Sequence, residues 1–208
     1  GLTAVALGDW AIPILAHQIL AIALLAEVMP LTCLTFDPSA KGIMRMPPRK
    51  QCDHIMNRHT SLEVLFLGVL IGALAFGNYA LSMYRAGVVF HADMAIPFPV
   101  AYLRATTLAY LTIAFCQFAD VLSQRYRLTS IFNRNFFTNR TLLLSILGSI
   151  GLVLTAVYVP FVSGFLYFSG PGILDWIFVL GAALIFLGVF ELMKSRRRIK
   201  YQKSVSVT

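Results

Sequence analysis

Two carboxylates stand inside membrane-length apolar runs: Glu27 in residues 14–35, and Asp120, one helical turn beyond Gln117, in residues 106–122. A charge buried in lipid is expensive, and such residues by default serve an ion or proton path. Pro30 follows Glu27 by three residues. It has no N–H to donate to the Ala26 carbonyl, so a helix break beside the acid is expected, with that carbonyl released for a cation. Glu27 has no basic residue within a helical turn, whereas Asp120 has Arg125 nearby as an alternative ion-pair partner. A carboxyl group at such depth can also take up a proton, which keeps proton carriage or countertransport open beside cation binding.

The elements that must position these groups follow from composition. With 58% hydrophobic residues, 12% charged residues and a mean hydropathy of +0.77, the 208 residues have too little polar surface to coat a soluble globule. The fold class expected is all-α, a polytopic membrane helix bundle forming one domain over residues 1–208. Runs long enough to cross about 30 Å of hydrocarbon as helices of about 20 residues lie near 14–35, 62–84, 103–123, 141–162 and 173–193. Residues 1–7 are apolar but too short to span, and read as a stub of a sixth helix that precedes these five complete ones.

Charge placement orients the spans. Of 17 Lys and Arg, 15 fall between the first and second spans, between the third and fourth, or after the fifth; only Arg85 and Arg104 flank the other connections. The positive-inside rule makes the basic side, and with it the C-terminus, cytoplasmic. The net charge of +8 therefore reflects topology and contact with the lipid bilayer. A nucleic-acid partner is not expected, because the basic residues form separate juxtamembrane clusters without an aromatic-rich soluble module.

The loop after the first span carries the specific signal. Phe36-Asp37-Pro38, followed by Ile43-Met44-Arg45-Met46-Pro47-Pro48-Arg49, resembles the stretch that follows the sixth transmembrane helix of type II P-type cation-transporting ATPases. Gln117-Phe118-Ala119-Asp120 is similar to the eighth helix of the sodium/potassium and proton/potassium pumps. The resemblance covers nearly the whole chain, including Asp175-Trp176 at the start of the last helix and the basic run after Glu191. It implies helices six to ten of the C-terminal transmembrane domain of a cation pump, nearest in motif to sodium/potassium and calcium pumps.

Carried over residue by residue, the resemblance places the sixth-helix ligand pair at Ala23 and Glu27, of which only Glu27 can hold a cation through its side chain. It makes Gln117 and Asp120 further ligands, and it finds Gly148-Ser149 where sodium pumps carry a ninth-helix acid pair. The loss of a ligand at position 23 argues against a standard calcium site, since Ca²⁺ takes six to eight oxygens. No D-K-T-G, T-G-E-S or G-D-G-x-N-D sequence is present, so this chain alone is not expected to form an aspartyl-phosphate. No cofactor is expected in it; Mg and ATP are implied for the full-length pump, whose N-terminal part is the implied partner. The short outer loop implies no accessory beta subunit. A plasma membrane or an endomembrane suits the topology equally.

A rival reading is a free-standing carrier or a regulatory remnant without ATPase activity. An upstream frame containing D-K-T-G supports the pump, and a start codon directly before Gly1 supports the rival. Other residues carry less. Gly68 and Gly72 form a G-x-x-x-G pattern that lets helices approach closely, and packing is its expected role. Cys33, Cys52 and Cys116 make no disulfide framework; Cys52, His54 and His59 match no zinc spacing. His17 reads as interfacial, His91 and Asp93 as solvent-facing, and the sequon at Asn139 as cytoplasmic and unmodified.

Overall fold

A computed structural model describes residues 12–35, 58–87, 100–125 and 140–205. Residues 1–11, the motif between Phe36 and Arg49, Cys52, His54, His91, Asp93 and Asn139 lie outside the described residues.

The described residues form helices without strands. The first span is composite: α1 (Ala16–Ala21), a π-helical segment (Ile22–Glu27) and α2 (Val28–Leu34). Then follow α3 (Arg58–Arg85), α4 (Val100–Arg125), α5 (Arg140–Tyr158), the short α6 (Pro160–Phe165) and α7 (Ile173–Val205). Five helical segments are long and apolar enough to cross a membrane: Ala16–Cys33, Thr60–Arg85, Val100–Gln124, Thr141–Tyr158 and Ile173–Ser195. The chain is a multi-pass membrane helix bundle.

Pro30 does not end the first span, contrary to the expected break. The helix runs through it to Leu34, and the irregularity lies one turn earlier, in the π segment. The physical reason is positional: Pro30 sits in the first turn of α2, where a missing N–H is least disruptive. The widened turn before it absorbs the mismatch. The span expected over 141–162 is divided instead. Val159 is extended, with φ −78° and ψ 118°, and Pro160 opens α6, because the residue before a proline is pushed out of the helical region.

α4 is the pillar. In its most apolar stretch 72% is buried, against 17% in α3, and it packs on α3, α7, the π segment, α2 and α5. Small residues allow this crowding: Ala105, Ala109, Ala114 and Ala119 are all buried, and small side chains permit close helix approach in lipid. Each of the three hydrophobic clusters contains α4 residues. Leu111 joins Ile22, Leu142 and Val179; Ala109 joins Tyr79 and Met83; Cys116 joins Phe186.

Polar ties stitch the bundle at one end. Gln18 is fully buried; its Nε2 donates to Thr106 Oγ1 at 3.4 Å and to the Leu166 carbonyl at 3.4 Å, while its Oε1 accepts from the Leu15 N–H at 3.2 Å. One side chain thus holds the first span against α4 and the α6–α7 connection. Asn78 Nδ2 likewise donates to Thr112 Oγ1 at 2.7 Å and to the Phe178 carbonyl at 3.3 Å, joining α3, α4 and α7. Gln18→Leu is expected to destabilise the protein by about 1–3 kcal/mol, because it strands buried acceptors. Ile19→Ala, at a 56% exposed neighbour, is expected to change stability by less than about 0.5 kcal/mol. Unfolding midpoints in mixed micelles check both; equal effects would show that the Gln18 ties contribute nothing.

Candidate functional site

Glu27 closes the π segment, with φ −98°, and is half-buried. A π turn shifts the side-chain register by one residue relative to an α-helix, and such bulges concentrate at functional sites. Here the segment packs against α4 and α5, and Gln117 Nε2 donates to Glu27 Oε1. Ala26, 1% exposed, lies in the same wide turn, and Pro30 supplies no N–H to its carbonyl. Gln117 Oε1 is buried and has no hydrogen-bond partner among the described residues. An unsatisfied acceptor in a protein interior costs about 1–3 kcal/mol. A carboxylate and an amide oxygen without a donor among the described residues therefore meet where the first span packs on α4. Oxygen donors without a nearby positive side chain are the chemistry of hard-cation coordination.

Asp120 goes elsewhere. Its carboxylate accepts from Gln124 Nε2 at 3.3 Å on its own helix, and the Lys194 ammonium of α7 lies within electrostatic range of it. The structure brings Glu27 and Gln117 together and records no contact between Asp120 and Glu27. The i, i+3 spacing had put Gln117 and Asp120 on one face, yet 60° of helix rotation is enough to send them to different neighbours.

Ser123 and Gln124, one helical turn beyond Asp120, face a cavity of about 100 Å³ between α3, α4 and α7, where Thr60, Glu63 and Lys194 stand among the apolar Val64, Leu67, Phe190 and Met193. Ser123 Oγ is buried without a partner. Lys194 is only 5% exposed; its Nζ lies 3.4 Å from Glu191 Oε1 and 4.9 Å from the Phe190 ring centre. The sequence signal was available: Lys194 follows an apolar run directly, so its stem must lie along the bundle. Among the described residues no group of three or more His, Cys, Asp or Glu side chains is placed to hold a metal ion.

Among the described residues, Gly68 and Gly72 do not pack closely against another helix. A Cβ added at either would meet nothing within 4 Å. His17 lies with its ring centre 5.4 Å from that of Tyr167, a residue with φ 53°, and its Nε2 is buried without a partner.

A family model described as "Cation transporting ATPase, C-terminus" matches residues 11–196. The chain is 28% identical over 197 residues to "Calcium-transporting ATPase 1" of Bacillus cereus, covering 91% of this chain and 22% of that protein. It is 29% identical over 198 residues to human "Calcium-transporting ATPase type 2C member 1", covering 94% and 20%. To mouse "Calcium-transporting ATPase type 2C member 2" it is 30% identical over 183 residues, covering 88% and 18%. The chain thus spans about a fifth of the length of these relatives.

The geometry divides the carboxylates into two groups, and double-mutant cycles on unfolding free energy read that division. Glu27→Gln with Gln117→Leu is expected to show a coupling of about 1 kcal/mol or more, and Glu27→Gln with Asp120→Asn to be additive within about 0.5 kcal/mol. Equal coupling in the two cycles would mean that the division is wrong.

Proposed function

This chain belongs to the family of cation-transporting ATPase C-terminal domains, and from that premise we propose that it supplies part of the ion path of an ATP-driven cation pump. Glu27 is the leading ligand, Gln117 stands beside it, and the Ala26 carbonyl completes this chain's share. The observation that carries the reading is the convergence of Glu27 with the orphaned Gln117 Oε1 at a π turn. Half a rotation of the Gln117 amide exchanges its N–H for that oxygen, so a cation arriving at Glu27 would gain a second ligand without movement of either helix. Asp120, within electrostatic range of Lys194, is a secondary ligand of the path.

The transported ion is a cation for which two or three oxygens from this chain are a partial shell. Relatives named as calcium-transporting make Ca²⁺ the first ion to test, and Ca²⁺ takes six to eight oxygens. The rest of the shell belongs to the N-terminal part of a full-length pump, where ATP and Mg act and phosphorylation drives alternating access. The open face at Gly68 and Gly72 supports such a partner, because small residues on a bare face admit another helix at close range. The basic clusters support a cytoplasmic C-terminus, in a plasma membrane or an endomembrane.

ATP-driven Ca²⁺ uptake by the full-length pump in proteoliposomes tests this assignment. Glu27→Ala is expected to reduce uptake by at least about tenfold, equivalent to about 1.4 kcal/mol. Gln117→Leu is expected to raise the half-saturating cation concentration, and Asp120→Ala to have the smallest effect of the three. Unchanged uptake in both Glu27→Ala and Asp120→Ala would defeat the site.

A further inference from the structure

Arg85 and Arg104 are the two basic residues outside the three basic clusters, and both converge on one carboxylate. Asp175, at the start of α7, is 1% exposed. Its Oδ2 accepts from Arg104 Nε at 2.6 Å and from the Gly172 N–H at 2.8 Å, and its Oδ1 accepts from Arg85 Nη1 at 3.2 Å. Arg104 also reaches Oδ2 through Nη2, so it alone neutralises Asp175. The local fit is close: a Cβ on Gly172 would come within 2.5 Å of Arg104 Nη2. Position 172 therefore admits glycine so that the guanidinium can reach the carboxylate.

Arg85 is surplus to that arrangement. It makes a single contact with Asp175, at 3.2 Å, and its side chain is 36% exposed. The remaining donors of its fork make no hydrogen bond among the described residues. The guanidinium lies 5.4 Å from the Phe178 ring centre, where a cation is held over an aromatic face while its edges remain available. Among the described residues, two guanidinium groups therefore face one carboxylate at the end of three membrane helices, α3, α4 and α7, with one positive charge in excess.

Beside it is a cavity of about 310 Å³ lined by Ser82, Arg85, Ala86, Val100, Ala101, Arg104 and Asp175, which falls at the lower end of the ~300–1,000 Å³ typical of ligand pockets. Its depth is set by the helix ends: Arg85 and Val100 bound two membrane spans. Trp176, whose Nε1 donates to Tyr158 Oη at 2.9 Å, marks the interfacial level where amphipathic aromatics collect. Phosphate groups lie at that level, and the arginine fork matches phosphate oxygens.

The geometry points to a phosphate-binding site between Arg85 and Arg104, taking either a lipid phosphate headgroup or a free phosphate ion. Asp175 holds Arg104 in place, and Arg85 supplies the charge. This site is separate from Glu27 and does not depend on the transport reading.

The test uses the full-length protein in dodecyl maltoside, with bound species counted by native mass spectrometry and unfolding midpoints measured. The probes are dioleoyl phosphatidic acid against dioleoylglycerol, which differ by the phosphate, and inorganic phosphate against chloride at equal ionic strength. Basic residues at the other end of the bundle give a background that Arg85 variants leave unchanged. Phosphatidic acid is expected to raise the midpoint and dioleoylglycerol not to. Arg85→Gln is expected to weaken phosphatidic acid binding by about tenfold, and Arg85→Lys to retain part of it, because it keeps the charge and loses the fork. A response to phosphatidic acid alone assigns the site to a headgroup, and a response to inorganic phosphate assigns it to the free ion. No response to either probe, or equal responses in wild type and Arg85→Gln, would overturn the proposal.

Discussion

Hydrocarbon offers no water to a stranded polar group, so each one carried into the bilayer must find a partner on a neighbouring helix. α4 shows what that requirement builds. Arg104 reaches Asp175 on α7, Thr106 receives Gln18 of the first span, and Thr107 receives the Ser169 N–H of the connection before α7. Thr112 receives Asn78 of α3, and Gln117 reaches Glu27 of the π segment. Apolar packing in lipid does not distinguish a helix from the acyl chains around it. Register comes instead from this succession of polar ties to the first span, α3, α7 and the connection before α7, along one buried helix whose alanines let the others approach.

The meeting of Glu27 and Gln117 is a consequence of the same helix. A regular first span would place the residue at position 27 by the α-helical period alone. The π segment adds a residue to the turn and re-aims Glu27 toward α4, where Gln117 waits with one oxygen unused. Pro30 stabilises the irregularity without terminating the helix, since a proline in the first turn of α2 leaves no donor that the wide turn must satisfy. The cost of the widened turn is offset by the Ile22 and Ala26 side chains buried in the core against α4 and α5.

Much of this was legible in the sequence because lipid imposes strong rules. The five apolar runs and the candidate residues Glu27 and Gln117 are visible in hydropathy and in motif, and the structure joins those two residues. The break at Pro30 was misplaced by one turn, because a π segment has no compositional signature; only the fit against α4 creates it. Asp120 and Gln117 share a face in projection, yet the crossing of α4 with its neighbours divides that face, and no periodicity encodes where another helix crosses. Lys194 and Gln18 were passed over for a related reason. A polar residue at the edge of an apolar run looks interfacial until the fold shows what it reaches.

The Glu27 site is also visibly partial. Oxygens from one carboxylate, one amide and one carbonyl cannot replace the hydration shell of a hard cation, and a buried amide oxygen without a donor is not a stable end state. Ala23, one π turn before Glu27 and exposed, adds no side-chain ligand on the face that α4 leaves uncovered. Under the proposed reading the incomplete shell calls for ligands from outside this chain, which spans about a fifth of its relatives' length. On that proposal, binding would be coupled to movement, because a shell divided between two bodies is complete in one relative position of those bodies and open in another, so a change in that position switches affinity without rebuilding either half.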